Sequence, residues 1–190
     1  MDCEGRHGSE QGVPRAGIGR QGARRCAADG DVMDTYNRIV DFLSANGVAF
    51  REIEHAPEGR TDLASAIRGH CITRAAKAMV VEVRGISDGP HYVLAVVPGH
   101  RKVALKQLAR TLGGSKARFA APETAVALTG CVMGAVPPLP FNAKLGTIMD
   151  RGLMDVPEIV FNAGRLDRSF VLETSAYLGA VMPRVGDIVE

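Results

Sequence analysis

Lys77 is the residue whose surroundings in the sequence point most directly to chemistry. It lies in a segment, residues 75–81, whose other members are small or apolar and which has the composition of a buried strand. A buried ammonium group without a partner is costly, so this side chain either reaches out to solvent or meets an anion inside a cleft. We predict that Lys77 serves a functional site, and the solvated alternative stays open.

A stiff loop is predicted between Gly134 and Pro138. The glycine permits backbone conformations that a side chain would forbid, and the consecutive prolines Pro137 and Pro138 fix φ and lack a backbone donor. Stiff loops flanked by apolar segments are common binding surfaces, because their geometry is set before a ligand arrives. We therefore predict that Gly134, Ala135, Val136 and the two prolines belong to the site. The alternative is a structural turn.

A second polar cluster lies near the C-terminus, between two short apolar segments. Asn162, Gly164, Arg165 and Asp167 all fall in or next to this connection. An arginine presented at the end of a strand is a good fork for a phosphate or a carboxylate. The alternative, which the spacing alone favours, is a hairpin whose Arg–Asp pairs tie the loop together.

His55 and Thr61 are two further candidates for contacting a ligand. His55 ends a predicted strand, and Thr61 precedes a short predicted helix that borders the same cleft as Lys77. The five histidines and four cysteines show no spacing typical of metal ligands or of a disulfide framework, and Cys131 has no activating base nearby in the sequence. No phosphate-binding glycine loop is present. We expect neither a metal nor a cofactor.

The framework around these residues is predicted from hydrophobic periodicity and from turn signals. The predicted helices are 34–46, 61–69, 105–112, 122–128 and a last turn at 174–178; the predicted strands are 48–54, 75–83, 92–97, 147–149, 158–162 and 169–172. Residues 75–83 and 92–97 are expected to pair as a hairpin. Helices and strands alternate without a regular βαβ repeat, which indicates a mixed α+β fold.

Composition predicts one folded domain, residues 33–190, behind a disordered extension, residues 1–32. The chain has 190 residues, of which 46% are hydrophobic, and this is enough for one core. The extension is rich in Gly and Arg and shows no hydrophobic period; the alternatives are a basic tail that tracks RNA, or a translation start at Met33. A net charge of +2 is too small to indicate nucleic-acid binding. With no membrane-spanning run, we expect a cytoplasmic protein.

Four segments, by their order and spacing, resemble the YbaK/YeaK-type family of aminoacyl-tRNA deacylases, which is related to the editing insertion of bacterial prolyl-tRNA synthetases. The segments are the AAKAMVV strand around Lys77, VPG at 97–99, LTGC at 128–131 leading into GAVPP, and FNAGRLDRS at 161–169. The chain departs from the family at residues 139–141, which read LPF, and at Arg165, which lies near the place of a histidine in the prolyl-synthetase insertion.

The resemblance implies a compact α+β domain with a barrel-like mixed sheet and surrounding short helices, which hydrolyses amino acids mis-attached to tRNA. It further implies that Lys77 contacts the 3′-terminal nucleotide and that residues 134–138 lie beside the scissile ester, with the amides of residues 134–136 as oxyanion donors. The implied partners are mischarged tRNA and an aminoacyl-tRNA synthetase, with the protein a monomer or a weak dimer. A non-catalytic tRNA- or peptide-binding module and a structural dimerisation domain stay open as alternatives.

Overall fold

The structure is a computed structural model that describes residues 30–87 and 91–190. The elements in chain order are α1 Gly30–Ala45, β1 Phe50–Glu54, α2 Thr61–Ile67, β2 Ala76–Arg84, β3 Tyr92–Pro98, α3 Leu105–Thr111, β4 Lys116–Phe119, α4 Pro122–Thr129, β5 Leu145–Asp150, β6 Glu158–Asn162, β7 Arg168–Glu173, α5 Thr174–Val181 and β8 Arg184–Gly186. Of the extension predicted at 1–32, residues 1–29 lie outside the described part of the chain. Residues 30–32 belong to α1, so the first helix begins earlier than its predicted start at residue 34.

The strands form two sheets. The larger sheet has the order β4-β2-β3-β5-β8, in which β2 and β3 are the predicted antiparallel hairpin and β5 runs parallel to both β3 and β8. The smaller sheet has the order β1-β7-β6 and is antiparallel throughout. A single bridge between Ala75 and Val160 connects the two sheets. The mixed α+β class is thereby confirmed.

The sheets do not close into a barrel, so the barrel-like arrangement expected from the resemblance is corrected. The larger sheet ends in β4 and β8, which are only four and three residues long, and these edge strands pair with one neighbour each. Short edge strands offer few unpaired backbone groups to a further strand. The two sheets therefore remain open, and residues of both pack in one hydrophobic cluster.

Strand β3 is the centre of the core. Its residues 93–97 are all buried, and they alternate between two hydrophobic clusters. Leu94 and Val96 face the larger cluster under α1, β6 and β7, whereas Val93, Ala95 and Val97 face the cluster under α3. A strand that is covered on both faces reads as a continuous apolar run, which is how β3 appears in the sequence.

A buried hydrogen bond anchors the connection between α4 and β5 to the rest of the core. Tyr177 on α5 has no exposed surface, and its hydroxyl donates to the carbonyl oxygen of Pro138 over 2.7 Å. Pro138 itself is buried. The end of the predicted stiff loop is therefore anchored by α5, about 40 residues further along the chain.

We expect Tyr177→Phe to lower the free energy of unfolding by about 1–2 kcal/mol, because the carbonyl of Pro138 then stays buried without its donor. Tyr36→Phe is a matched control, since the Tyr36 hydroxyl donates to the exposed carboxylate of Glu52 over 2.9 Å. Its effect is expected within about 0.5 kcal/mol. Urea denaturation of both variants measures the difference, and equal losses would contradict the anchoring role.

Candidate active site

A cavity of about 340 Å³ opens between α2, β2, β6 and the loop that follows α4. Most of the residues that line it are small or apolar. The lining residues are Gly59, Thr61, Ala64, Arg68, Ala75, Ala76, Lys77, Ala78, Met79, Val80, Phe119, Ala120, Ala125, Met133, Gly134, Val136, Val160, Phe161 and Asn162. Two of these side chains are cationic and none of them is a carboxylate or an imidazole, so the cavity is suited to an electron-rich ligand.

The loop at the cavity is a tight turn with a glycine at its critical position. The N–H of Ala135 donates to the carbonyl of Val132 over 3.0 Å, and Gly134 lies third in this four-residue turn with φ +88°. A type II turn requires positive φ there, which favours glycine. A Cβ on Gly134 would also lie 2.6 Å from the Cα of Gly59. The turn and the close approach of two backbones both demand glycine.

This geometry corrects the expectation that three free amides face a ligand. Ala135 is fully buried and its N–H donates within the turn, so this N–H cannot donate to a ligand. Among the described residues, the N–H groups of Gly134 and Val136 make no hydrogen bond, and both residues line the cavity. Pro137 and Pro138 are buried and lie outside the lining. The prolines anchor the loop, and Gly134 and Val136 carry its available donors.

Among the described residues, Lys77 has no carboxylate partner, and it is not freely solvated. Its side chain is half-buried at the cavity, and its ammonium donates to the carbonyls of Gly99 and Arg101 over 3.2 and 2.7 Å. Desolvation lowers the pKa of Lys77 below its ordinary value. Thr61, at the start of α2, lies beside the same loop, since a Cβ on Gly99 would meet its methyl group at 2.8 Å. Lys77 and Thr61 are thus brought together at one wall.

Asn162 uses its whole side-chain amide to hold the site together. Its Nδ2 donates to the carbonyls of Gly134 and Glu58 over 2.8 and 3.1 Å. Its Oδ1 accepts from the hydroxyl of Ser169 over 3.1 Å and from Nη1 of Arg68 over 3.4 Å. An amide has two donors and room for two acceptors, and all are occupied. Asn162 lines the cavity and positions its neighbours.

Arg68 is the residue at the cavity that the sequence analysis missed. It is 9% exposed, and its Nε donates to the carbonyl of Ala64 and its Nη1 to the hydroxyl of Ser169, over 2.8 and 3.0 Å. Burial lowers the pKa of Arg68 to about 10. An arginine just after the end of a helix is common as a partner of the last carbonyls, which hid this residue among ordinary helix-end signals.

Within the residues that the structure describes, His55 is connected to the site through Ser169. Its Nε2 lies 2.7 Å from the hydroxyl of Ser169, and its Nδ1 lies 2.9 Å from the carbonyl of Ala56. It is not among the lining residues of the cavity. The structure therefore places His55 behind the network of Ser169 and Asn162, and direct contact with a ligand at this cavity stays a prediction.

Gly164, Arg165 and Asp167 lie in the turn between β6 and β7 and do not line the cavity. Gly164 has φ +73°, and a Cβ there would lie 2.9 Å from the methyl group of Thr35 on α1. Nε and Nη2 of Arg165 donate to the two carboxylate oxygens of Asp167 over 2.8 and 2.9 Å, and this pair holds the pKa of Asp167 below its usual range. The arrangement is the tied hairpin; a role in substrate binding stays a prediction.

Within residues 30–87 and 91–190, no group of three His, Cys, Asp or Glu side chains is placed to hold a metal ion. No helix in the described part of the chain is long and apolar enough to cross a membrane. What the cavity offers is two backbone N–H groups on a rigid turn and two cations, with no side-chain base among its lining residues. Such donors stabilise negative charge that develops on a carbonyl oxygen.

Comparison with known proteins agrees with this chemistry. Residues 58–179 match the model of the aminoacyl-tRNA editing domain. The multifunctional Ser/Thr-tRNA deacylase ProXp-y of Escherichia coli K12 is 40% identical over 152 residues, which cover 80% of this chain and 90% of that protein. A solved structure of a candidate trans-editing enzyme for prolyl-tRNA synthetase superimposes with a TM-score of 0.71 at 25% identity, over 82% of this chain and 97% of that one. The hypothetical protein APE2540 has the same fold, with a TM-score of 0.73 at 21% identity over 80% of this chain and 99% of that one.

The resemblance drawn from the sequence is thereby confirmed. The chain belongs to the aminoacyl-tRNA editing domain family, and it is an aminoacyl-tRNA deacylase, an enzyme that hydrolyses the ester between a wrongly attached amino acid and tRNA.

Proposed function

We propose that the cavity beside Gly134 is the hydrolytic site and that it removes serine or threonine from tRNA. The observation that carries the proposal is the pair of uncommitted N–H groups, those of Gly134 and Val136, on a loop that lines the cavity. The proposed amino acids follow from the 40% identity to a Ser/Thr-tRNA deacylase. The many alanine and glycine residues in the lining suit a small side chain.

The reaction needs little from the protein beyond positioning. The oxygen of a water molecule forms a bond to the ester carbonyl carbon, and the carbonyl oxygen takes up the negative charge. The tetrahedral intermediate then collapses, the bond from carbon to the ribose oxygen breaks, and that oxygen takes the proton which the water gave up. The products are the free amino acid and a tRNA with a free terminal hydroxyl. An ester is already activated, so oriented donors and an oriented water suffice.

In this proposal the two N–H groups on the turn donate to the carbonyl oxygen, and Lys77 meets the ribose or the terminal phosphate. Lys77 supports that role because its ammonium is fixed by two neutral carbonyls and keeps its charge uncompensated. A positive charge held in place attracts a phosphate oxygen more strongly than a mobile one, since less side-chain entropy is lost on binding. Thr61 lies at the same wall and offers a hydroxyl to the ribose.

The partners follow from the same proposal. The substrate is the acceptor end of a mischarged tRNA, and association with an aminoacyl-tRNA synthetase would deliver that substrate. We propose that the chain acts as a monomer or a weak dimer in the cytoplasm, where charged tRNA is used.

Incubating the enzyme with a panel of aminoacyl-tRNAs and measuring the release of free amino acid tests the function. We expect serine and threonine to be released from tRNAs that should carry another amino acid, and alanine and valine to be released more slowly. Loss of the discrimination within the panel would contradict the proposed specificity. Tight binding of tRNA without release of any amino acid would instead identify a non-catalytic binding module.

Lys77→Met keeps the apolar stem of the side chain and removes the charge. We expect kcat/KM to fall by roughly tenfold or more, because one charge-assisted contact of about 1.5–3 kcal/mol to the nucleotide is lost. A stability loss of about 1 kcal/mol should accompany it, since two carbonyls lose their donor. Lys102→Met on the exposed neighbouring loop is the control. Equal kinetic losses in the two variants would show that only general surface charge matters.

A further inference from the structure

The guanidinium of Arg68 is a buried cation at the cavity that has no carboxylate partner in the described part of the chain. All of its hydrogen bonds within the described residues go to neutral oxygens: the carbonyl of Ala64, the hydroxyl of Ser169 and the amide oxygen of Asn162. These bonds use Nε and Nη1. Within the same part of the chain, Nη2 has no acceptor, although the side chain is only 9% exposed and lines the cavity. A buried charge without a counter-charge is energetically costly, and a negatively charged or electron-rich ligand atom would lower that cost.

Arg68 and the Gly134 loop are joined through one side chain. Asn162 accepts from Nη1 of Arg68 over 3.4 Å and donates to the carbonyl of Gly134 over 2.8 Å. The cation and the turn therefore stand on either side of a single carboxamide, at the same wall of the cavity. Arg68, Gly134 and Val136 all line this cavity, so one ligand can contact both the turn and the guanidinium.

We propose that Arg68 is a catalytic residue of the deacylase, whose guanidinium donates a hydrogen bond to the oxygen of the scissile carbonyl. The inference rests on the proposal that this cavity is the hydrolytic site. In the tetrahedral intermediate that oxygen carries a full negative charge, and Arg68 provides the compensating positive charge. No proton leaves the guanidinium, so the balance of the hydrolysis is unchanged.

The carbonyl oxygen is the group of the substrate that suits this position. The carboxylate of the amino acid is esterified and carries no charge in the ground state, whereas its α-amino group can only be repelled by a cation. A hydroxyl side chain gains less from a full charge than an oxyanion does. Interaction that strengthens as charge develops raises kcat, and the neutral ground state gains little from it.

The neighbours of Arg68 are arranged to fix the plane of the guanidinium. Ala64 accepts from Nε, and Ser169 and Asn162 accept from Nη1, so two of the three nitrogens are fixed and the N–H groups of Nη2 are left for a ligand. A fixed donor costs no reorganisation during the reaction. A lysine has neither the planar fork nor the same set of bonds, so it would not substitute fully.

Chemical rescue tests the proposal. Arg68→Ala is expected to lower the single-turnover rate of deacylation by about 10²–10³-fold, the loss typical of one oxyanion donor, with the Kd for the aminoacyl-tRNA changed less than threefold. Added guanidinium chloride should restore the rate at least tenfold, whereas urea at the same concentration should not. Guanidinium and urea are similar in shape and differ in charge, and sodium chloride at equal ionic strength controls for salt.

Ser169→Ala is the matched control, because it loosens the same network and leaves the charge in place. It should cost less than tenfold. Equal rescue by urea, an equal loss in Ser169→Ala, or a normal rate in Arg68→Ala would each overturn the role of Arg68. If Arg68→Ala does not fold, Arg68→Gln takes its place, and a rate within threefold of the parent overturns the proposal.

The rates are measured on whichever aminoacyl-tRNA the parent enzyme hydrolyses fastest. Failure of the parent on seryl- and threonyl-tRNA therefore counts against the proposed specificity alone. Failure of Arg68→Ala to slow the parent's best reaction counts against Arg68 alone.

Discussion

The four hydrogen bonds of the Asn162 carboxamide are the interaction on which the site depends. Asn162 is the last residue of β6 and pairs directly with Ser169 on β7, so the register of the small sheet sets the position of both side chains. From there the amide holds the carbonyls of Glu58 and Gly134, which belong to two loops distant in the sequence. An aspartate cannot take this role, because it has no donor for the two carbonyls. The pairing of β6 with β7 therefore determines where the two loops lie at the cavity.

The close approach of Gly59 and Gly134 is a second contact that holds the same two loops together. The backbones pass so near that a methyl group on Gly134 would meet the Cα, C and carbonyl oxygen of Gly59 within about 3 Å. A glycine at each position lets two loops pack backbone against backbone, which leaves little freedom for either. Any substitution at Gly134 therefore disturbs the packing of the two loops, and its effect on the proposed chemistry cannot be separated from its effect on folding. Probing the site through side chains at its margin avoids that confusion.

The sequence predicted the framework well and the site only in part, for reasons that specific residues make clear. Strong periodicity located α3, β3 and β6, whereas β4 and β8 were missed because short, exposed edge strands have no apolar alternation. Gly134 and Lys77, which both line the cavity, stand out in the sequence because a glycine before prolines and a lysine in an apolar strand depart from local patterns. Arg68 breaks no such rule, and its burial depends on contacts with Asn162 and Ser169 about 100 residues away. The hydrogen bond of the Ala135 N–H could likewise not be predicted, because residue types do not show which amide donates within a turn.

The two cations at the cavity, Arg68 and Lys77, are subject to the same electrostatic constraint. Burial lowers the pKa of Arg68 to about 10, because desolvation disfavours the charged guanidinium. Desolvation acts on Lys77 in the same direction, since it also lowers the pKa of that residue. Both charges are therefore unfavourable to the empty protein and are relieved when negative charge enters the cavity. In the proposed mechanism the scissile carbonyl oxygen becomes negative only as water adds to the ester, so the charge of Arg68 is compensated best when the intermediate is present, which is the condition for catalysis by differential binding.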